Sequence, residues 1–406
     1  MVSVEVVTVT ESTENHEAYE VVVVGGGAAG LSAALVLGRA RRRTLVVDAG
    51  EPRNAPSSHM QGYLSRDGMP PAEFLAAGRE EVARYGVELV RGRVVDVRPG
   101  FAVGDGPGFG VAVEAGLGTD AGPNPAADAG PDIAADTGPN PAANADPNPA
   151  ADIAPNPAAN ADPNPATGVD SNLAADVGPG FVVTLAGGRT VRARRLVVAT
   201  GLKDELPAVP GVAERFGRDV LHCPFCHGWE VRDQPFGVLA TGPASVHQAL
   251  MVSQWSKDVR LFLHTLAEED LPGQDLRRLA AAGVQVVPGE VAALVVEDDR
   301  LTGVRLADGT THARSALFTA PRPVPQTGLL ERLGAELNQT PFGAYPVVDQ
   351  TGRTTVPRVW AAGNAVGFAE QVVHAASGGY RAAAAIVGDL LMADLDAAVQ
   401  AEVQET

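Results

Sequence analysis

A glycine turn between an apolar strand and an apolar helix constrains the fold of this chain more than any other stretch. Three glycines with the spacing Gly-x-Gly-x-x-Gly follow the valine-rich residues 19–24, namely Gly25, Gly27 and Gly30. An alanine- and leucine-rich segment comes next, and a second apolar run at residues 45–47 ends at Asp48. Strand, glycine turn, helix, strand and acid, in this order, are typical of a dinucleotide-binding unit. We expect the glycines to admit a pyrophosphate at the helix start and Asp48 to bind a ribose hydroxyl.

A second unit of this kind is predicted in the middle of the chain, but its phosphate-binding turn is altered. Its predicted elements are a strand at 237–240, a helix at 247–256 and a strand at 259–263. Ala240 replaces the first glycine, and Pro243 removes a backbone N–H from the turn, on which a phosphate cradle depends. After the second strand come His264 and three acidic residues, where a 2′-phosphate would need an arginine. We therefore expect this unit to keep its fold and to bind NADPH weakly or not at all.

The two cysteines of the 406-residue chain are Cys223 and Cys226. Because a dinucleotide-binding pattern accompanies them and no export signal is evident, their Cys-x-x-Cys spacing indicates a redox pair that alternates between disulfide and dithiol. Pro224 suits the first position of a helix, whose amide end favours a thiolate. The sequence thus predicts thiol-disulfide chemistry at these two residues.

Two other roles for the cysteines stay open at this point. With His222 and His227 they could form a zinc knuckle, although four ligands within six consecutive residues fit a tetrahedron poorly. A purely structural disulfide would close so short a loop that it removes little chain entropy. We predict no metal site.

His227, directly after the second cysteine, is the candidate general acid and base. An imidazole titrates close to neutral pH, so it can take a proton from a thiol and return it. The alternative is that His227 only hydrogen-bonds locally. His374 is a second candidate for the proton transfer.

The charge of the chain argues against nucleic acid as a partner. Its net charge at pH 7 is -18, and residues 100–187 carry eleven acidic side chains and no lysine or arginine. Phosphate binding needs a basic face instead. The first 19 residues lack the basic and apolar parts of a signal peptide, and no run of about 18 apolar residues suggests a membrane span. We expect a cytoplasmic protein without membrane contact.

A low-complexity acidic insert interrupts the regular pattern. From Gly122 an eight-residue repeat rich in Pro, Ala, Asn and Asp recurs, and its prolines block both helix and central strand. We predict residues 101–180 to be disordered. The strand that ends at Arg98 and the strand that begins at Phe181 are expected to be neighbours, with the insert attached at the tip of their hairpin.

Taken together, four motifs resemble the low-molecular-weight thioredoxin reductase family of FAD enzymes: Gly25-x-Gly27-x-x-Gly30, Ala199-Thr200-Gly201, Cys223-x-x-Cys226, and Ala362-Gly363-Asn364 followed by Gln371. The resemblance covers residues 19–391 apart from the insert. It implies an α/β fold with two Rossmann-like three-layer dinucleotide-binding domains, the FAD domain being split around a nucleotide-type domain that carries the Cys pair. It also implies a homodimer.

The predicted domain organisation has seven parts. They are a disordered N-terminus (1–18), the first part of the FAD domain (19–100), the insert (101–180), the continued FAD domain (181–206), the nucleotide-type domain (207–322), the last part of the FAD domain (323–392) and a C-terminal tail (393–406). The residues that the resemblance assigns to FAD binding are Gly25, Gly27, Gly30, Asp48, Asn54, Thr200, Gly201, Gly363, Asn364 and Gln371.

Three departures from the family point to a subgroup. His227 replaces the usual acid after the second cysteine, the nucleotide motifs are altered, and the first loop contains Arg53 and Asn54. With the run Cys-Pro-Phe-Cys-His-Gly-Trp, these features are similar to thioredoxin-reductase-like dithiol oxidases, which form disulfides in small natural products of the gliotoxin and holomycin kind. Those enzymes are described as dispensing with NADPH and passing electrons from FAD to oxygen. Asn364 stands where the family usually has an aspartate directed at the flavin ribityl chain.

The resemblance implies an FAD-dependent dithiol oxidase with Cys223, Cys226 and His227 as catalytic residues. A substrate thiolate would attack Cys223, and Cys226 would lie nearer the isoalloxazine and pass two electrons to FAD. The alternative is an NADPH-dependent thioredoxin reductase with the opposite electron flow. The expected partner is accordingly a small-molecule dithiol or a protein disulfide such as thioredoxin. A third possibility is a flavin-fold interaction protein without catalysis, against which the intact Cys pair argues.

Overall fold

The computed structural model describes residues 17–100 and 180–404. Its strands are β1 (Glu17–Val24), β2 (Thr44–Asp48), β3 (Glu88–Arg91), β4 (Val94–Pro99), β5 (Phe181–Leu185), β6 (Thr190–Val198), β7 (Leu202–Glu205), β8 (Val220–Leu221), β9 (Phe236–Leu239), β10 (Val259–Phe262), β11 (Gln285–Val287), β12 (Val291–Glu297), β13 (Arg300–Leu306), β14 (Thr311–Ala313), β15 (Ala316–Thr319), β16 (Arg322–Pro325), β17 (Leu337–Thr340), β18 (Gly343–Pro346) and β19 (Val359–Ala361). Its helices are α1 (Ala28–Arg39), α2 (Pro71–Ala83), α3 (Val212–Arg215), α4 (Pro224–His227), α5 (Ser245–Val252), α6 (Gly273–Ala281), α7 (Gly328–Arg332) and α8 (Val372–Gln404). None of these helices combines the length and the apolar character that crossing a bilayer requires.

Seven strands form the larger sheet, in the order β3-β2-β1-β6-β5-β4, with β19 beside the second half of β6. The strands β1, β2, β3, β6 and β19 run parallel, whereas β5 is antiparallel to both β4 and β6. The valine-rich strand β1 is buried along its second half, as expected for a parallel sheet that is covered on both faces. Helices α1, α2 and α8 pack on one face, and α7 packs on the other. The predicted three-layer Rossmann-like fold is confirmed.

The contact between α1 and α8 is unusually close, because backbone meets backbone. A Cβ atom at Gly379 of α8 would lie only 1.9 Å from the carbonyl oxygen of Ala29 in α1. The N-terminal part of α8 is thereby held against the first turn of α1, next to the predicted phosphate-binding glycines. Any side chain at position 379 would force the two helices apart.

Both ends of the described chain extend further into regular structure than the sequence predicts. Strand β1 begins at Glu17 rather than at residue 19, because Glu17 pairs with Val191 of β6 and forms an ion pair with Arg189. Helix α8 continues to Gln404, through most of the predicted tail at 393–406. Asp394 anchors this part of α8 through ion pairs with two arginines, Arg42 and Arg194.

The hairpin predicted around the insert is present. In the antiparallel pair of β4 and β5, Pro99 lies opposite Phe181, and the Gly100 N–H donates a hydrogen bond to the Gly180 carbonyl oxygen at 2.6 Å. The two strand ends are therefore joined across the point where the insert leaves and re-enters. The octapeptide repeat, predicted to be disordered, lies outside the described residues.

A second, smaller parallel sheet is built from residues 220–319, in the order β11-β10-β9-β15-β8. Helix α5 joins β9 to β10, so the predicted strand, helix, strand order is confirmed. The helix ends at Val252, four residues before its predicted end. Its last turn is followed by serines whose hydroxyls bond to backbone carbonyls, Ser253 to Leu250 and Ser256 to Gln234, and such bonds compete with helix continuation.

The closed hairpin predicts that the insert is dispensable for the fold. Replacing residues 101–179 by Asn-Gly, a favoured two-residue hairpin loop, should leave FAD binding intact and the melting temperature within a few degrees. Flavin absorbance and thermal melting measure both effects. In the same shortened chain, Phe181→Ala should cost about 3–5 kcal/mol, since Phe181 is 6% exposed. Loss of flavin caused by the shortening itself, without Phe181→Ala, would contradict the prediction.

Candidate active site

One cavity of about 1050 Å³ brings together the residues that the sequence singles out. Of the predicted catalytic and cofactor-binding residues, all except Gly30 line it. They come from distant parts of the chain, namely the first glycine turn, the end of β2, the turn after β6, helix α4 and the segment before α8. His374, by contrast, is exposed on α8 and does not line the cavity.

The glycine turn after β1 is shaped by close backbone contacts. The Gly25 N–H donates to the Val47 carbonyl oxygen at 2.8 Å, and its φ of +108° belongs to the region that favours glycine. A Cβ atom at Gly30 would lie 1.8 Å from the Gly25 carbonyl oxygen, so only glycine fits against the turn at this position. At Gly27 a Cβ atom would meet no atom of the described residues within 4 Å. The open side of Gly27, at the start of α1, is the place where a pyrophosphate can approach.

Asp48 stands at the end of β2, as predicted, and is 8% exposed. Its Oδ1 accepts hydrogen bonds from the N–H groups of Gly26, at 3.2 Å, and Gly50, at 3.1 Å. Its Oδ2 lies 3.6 Å from Arg79 Nη2. One carboxylate oxygen thus holds the glycine turn in place while the residue lines the cavity.

The turn after β6 is fixed by a residue that the sequence did not indicate. Thr200 Oγ1 donates to the Gln326 carbonyl oxygen at 2.7 Å, and the Gln326 N–H donates to the Gly201 carbonyl oxygen at 3.0 Å. These two bonds tie the turn to the segment after β16. No local pattern around position 326 announces this contact, since it uses the backbone of Gln326.

The loop around Arg53 and Asn54 forms another part of the cavity wall. Arg53 makes a bidentate ion pair with Asp204 of β7, with N–O distances of 2.8 and 2.9 Å. It also donates to the Phe368 carbonyl oxygen at 3.3 Å. Asn54 lies in the turn beside it, where its carbonyl oxygen accepts from the Ser57 N–H at 3.1 Å. A planar guanidinium thus joins three separate segments around the site.

Asn364 occupies the position where the family usually has an aspartate, and its side-chain amide can donate hydrogen bonds. Its Nδ2 donates to the carbonyl oxygens of Gly367, at 3.0 Å, and Phe368, at 3.2 Å. An ionised aspartate has no proton to donate. Gly363 precedes it with a φ of +68°. The asparagine therefore folds the segment that leads to Gln371.

The cysteine pair forms a disulfide, and both residues are half-buried in the cavity wall. Cys223 caps helix α4, and its carbonyl oxygen accepts from the Cys226 N–H at 3.2 Å. Pro224 occupies the first helical position, as predicted. Among residues 17–100 and 180–404, no group of three or more His, Cys, Asp and Glu side chains could hold a metal ion.

Gln371 places its side-chain amide against both sulfurs. Its Oε1 lies 3.4 Å from Cys226 Sγ, and its Nε2 lies 3.7 Å from Cys223 Sγ. The family resemblance assigned Gln371 to the flavin, and the sequence gave no sign of this contact, because 145 residues separate it from Cys226.

Two histidines flank the disulfide in different surroundings. His222 Nδ1 lies 3.1 Å from the Thr319 carbonyl oxygen, which can only accept, so Nδ1 carries the proton. The imidazole of His227 has no hydrogen-bond partner within the described parts of the chain, yet it lines the cavity. Burial lowers the pKa of both imidazoles, and the neighbouring Glu230 opposes this effect at His227. His227 is therefore neutral at pH 7 and can accept a proton.

The turn between β9 and α5 offers little to a nucleotide phosphate. The Thr241 N–H donates to Ser245 Oγ at 3.0 Å, and Pro243 has no N–H. After β10, His264 Nδ1 accepts from the Val291 N–H at 3.1 Å. The acids Glu268, Glu269 and Asp270 are exposed beyond it. These groups are engaged within the protein or carry the wrong charge for a 2′-phosphate.

Comparison with known families agrees with this geometry. The family model described as pyridine nucleotide-disulphide oxidoreductase matches residues 143–379, more than half of the chain, and the model described as FAD binding domain matches residues 20–85. The chain belongs to the pyridine nucleotide-disulphide oxidoreductase family. It is an FAD-dependent thiol-disulfide oxidoreductase, and the resemblance to thioredoxin reductases drawn from the motifs is confirmed.

Three relatives of this pyridine nucleotide-disulphide oxidoreductase cover nearly its full length. Thioredoxin reductase sirT of Leptosphaeria maculans is 26% identical over 394 residues, with coverage of 93% of this chain and 96% of the relative. The crystal structure of HlmI is 43% identical, with a TM-score of 0.73 and coverage of 96% of this chain and 97% of HlmI. The oxidoreductase from Agrobacterium tumefaciens is 30% identical, with a TM-score of 0.69 and coverage of 92% and 99%.

The cavity of this oxidoreductase fits FAD. The open side of Gly27, the N-terminus of α1 and the carboxylate of Asp48 are the groups that a dinucleotide of this fold requires. We propose that they hold the adenosine and pyrophosphate parts, and that Asn54, Thr200, Gly201, Gly363, Asn364 and Gln371 line the remainder of the site.

Two alanine substitutions separate the roles of the glycines. Gly30→Ala should lower the melting temperature of the apoprotein, since the new Cβ meets the Gly25 oxygen, and overpacking costs about 1–3 kcal/mol. Gly27→Ala should leave the apoprotein nearly as stable but weaken FAD binding, measured by flavin fluorescence. Unchanged FAD affinity in Gly27→Ala would show that the cofactor does not approach this position.

Proposed function

We propose that this enzyme oxidises a small-molecule dithiol to its disulfide, with dioxygen as the final electron acceptor. The observation that carries the proposal is the contrast between the two dinucleotide-binding units. In the first unit the carboxylate of Asp48 lines the cavity at the end of β2. In the second unit the Thr241 N–H is engaged by Ser245, Pro243 has no N–H to offer, and His264 replaces the acid after β10. Electrons are therefore supplied by the thiol substrate rather than by NADPH.

The reaction begins at the Cys223–Cys226 disulfide. A substrate thiolate attacks Cys223 Sγ, the bond between the two cysteines breaks, and Cys226 takes the electron pair as a thiolate. The second thiolate of the substrate then attacks the substrate sulfur of the mixed disulfide, which forms the product disulfide and releases Cys223 as a thiolate. Re-formation of the Cys223–Cys226 disulfide then releases two electrons. FAD held in the cavity would supply the redox chemistry of this step, taking up these electrons so that they could pass, with two protons, to dioxygen and give hydrogen peroxide.

His227 is proposed to move the protons of these steps. Its imidazole lines the same cavity as both cysteines and is neutral at pH 7, because burial lowers its pKa. It can take the proton of an incoming thiol and return it to Cys226 after the disulfide opens. The lack of a protein partner for this ring, among the described residues, leaves it available for the substrate.

The position of the cysteines in the wall of a cavity favours a small substrate. Both cysteines are half-buried in a cavity wall rather than exposed on a convex surface. Phe225, which lines the cavity between the two cysteines in sequence, is 71% exposed and supplies apolar surface there. These features support a compact dithiol over a protein disulfide such as that of thioredoxin, the alternative partner.

An anaerobic titration followed by flavin absorbance tests the function directly. A small dithiol alone should bleach the flavin, and admission of air should restore the spectrum with one hydrogen peroxide formed per disulfide. NADPH and NADH should bleach it slowly or not at all. Cys223→Ser should abolish bleaching by dithiol and keep the flavin bound. Fast bleaching by NADPH would overturn the oxidase in favour of a reductase.

The role of His227 has a signature in the pH profile. Since its pKa is lowered below 6.5, the neutral base persists on lowering the pH below neutrality, and the rate of flavin reduction by dithiol should decline only in the acid range. In His227→Asn the rate should fall about a hundredfold at neutral pH and rise with thiol ionisation near pH 8.5. Anaerobic stopped-flow experiments measure the rate of flavin reduction across both pH ranges. His374→Asn, at an exposed site outside the cavity, is the control and should behave as the wild type.

A further inference from the structure

Gln371 connects the last segment of the chain with the cysteine pair. It directly precedes α8, and among the described residues its side-chain amide has no hydrogen-bond partner other than the two sulfurs. The donor end, Nε2, faces Cys223, and the acceptor end, Oε1, faces Cys226. A single amide thus presents opposite hydrogen-bonding character to the two halves of the disulfide.

Reduction of the disulfide changes what this amide can bind. In the oxidised pair neither sulfur carries a proton, so Oε1 has nothing to accept from Cys226. In the reduced pair a thiol can donate to a carbonyl oxygen, and a thiolate can accept from an amide N–H. A hydrogen bond to an ionised group is the stronger of the two kinds. The Nε2–H donor therefore stabilises a thiolate more than Oε1 stabilises a thiol.

We propose that Gln371 sets the protonation state of the reduced pair, with Cys223 held as a thiolate and Cys226 as a thiol. In this arrangement Nε2–H donates to the Cys223 thiolate and the Cys226 thiol donates to Oε1. The reverse arrangement would place a carbonyl oxygen against a thiolate and leave the amide N–H against a proton-bearing sulfur. The first contact of the reverse arrangement is repulsive and the second is only a weak hydrogen bond, so one amide determines which of the two cysteines is the thiolate.

This selection favours product release, an argument that rests on the proposed oxidase function. In the mixed disulfide between substrate and Cys223, a Cys226 thiolate would attack Cys223 Sγ, reform the Cys223–Cys226 bond and expel the substrate thiolate unchanged. A Cys226 thiol cannot do so, because the thiolate is the nucleophile. The substrate's second thiolate then attacks the substrate sulfur, and Cys223 leaves with the electron pair as a thiolate that the amide N–H stabilises.

Thiol reactivity tests the proposal without substrate or oxygen. In the Cys226→Ser holoenzyme only Cys223 can be alkylated, and in Cys223→Ser only Cys226. The nearly isosteric Gln371→Met, which removes both the donor and the acceptor, should raise the pKa of Cys223 and slow its alkylation by iodoacetamide about tenfold near pH 7. The same substitution should leave the alkylation rate of Cys226 unchanged or increase it. Gln371→Glu, which offers only acceptors, should also slow the alkylation of Cys223.

Controls separate this role from cofactor binding. Flavin absorbance of each variant reports FAD content independently of thiol reactivity. Val373→Ala, at an exposed position outside the cavity, should change neither alkylation rate. An unchanged rate at Cys223 in Gln371→Met would overturn the proposal, and so would a slower rate confined to Cys226, which corresponds to the opposite amide orientation. Failure of the dithiol titration with a positive alkylation result would reject the oxidase and keep the role of Gln371.

Discussion

The first turn of α1 is packed so closely that backbone atoms occupy the space where side chains would normally lie. Gly30 lies under the Gly25 carbonyl. A Cβ atom at Gly25 would lie only 2.3 Å from the Ala199 carbonyl oxygen. From the other side, Gly379 brings α8 against Ala29. Strands β1 and β6 and helix α8 are therefore fixed relative to one another, with the carboxyl ends of the strands and the N-terminus of the helix at the cavity. The positions of Thr200, Gly363 and Gln371 follow from this constraint.

The same constraint explains how residues far apart in sequence come to share one site. Asn364 folds the segment after β19 through its amide, and this segment presents Gln371 to the disulfide of helix α4. Arg53 joins the loop after β2 to β7 by its ion pair with Asp204. The two sulfurs therefore share a cavity with groups attached to the larger sheet, although they belong to the part of the chain that carries the smaller one.

Local pattern predicted the elements of this fold better than their contacts. The glycine turn, the acid at the end of β2, the helix start at Pro224 and the neighbouring strands that end near Arg98 and begin at Phe181 all depend on residues close in sequence or on hairpin geometry, and the structure has them, with the first strand one residue longer. The errors lie at element ends. Ion pairs of Glu17 and Asp394 with distant arginines extend β1 and α8, and serine hydroxyls shorten α5. Contacts such as Gln326 to Thr200 or Gln371 to the sulfurs leave no local signal, because a polar residue in a loop has many possible partners.

Strand β6 has a consequence for the order in which the enzyme forms during synthesis. Its first half pairs with β5 and its second half with β19, whose residues are made more than 150 positions later. The smaller sheet, in contrast, uses only residues 220–319 and can form as soon as they have left the ribosome. The cysteine pair is then present before β19, Gly363 and α8 exist to complete the cavity. A nascent chain therefore carries its cysteine pair before the proposed FAD site is complete, which would place capture of FAD at the end of folding rather than at its beginning.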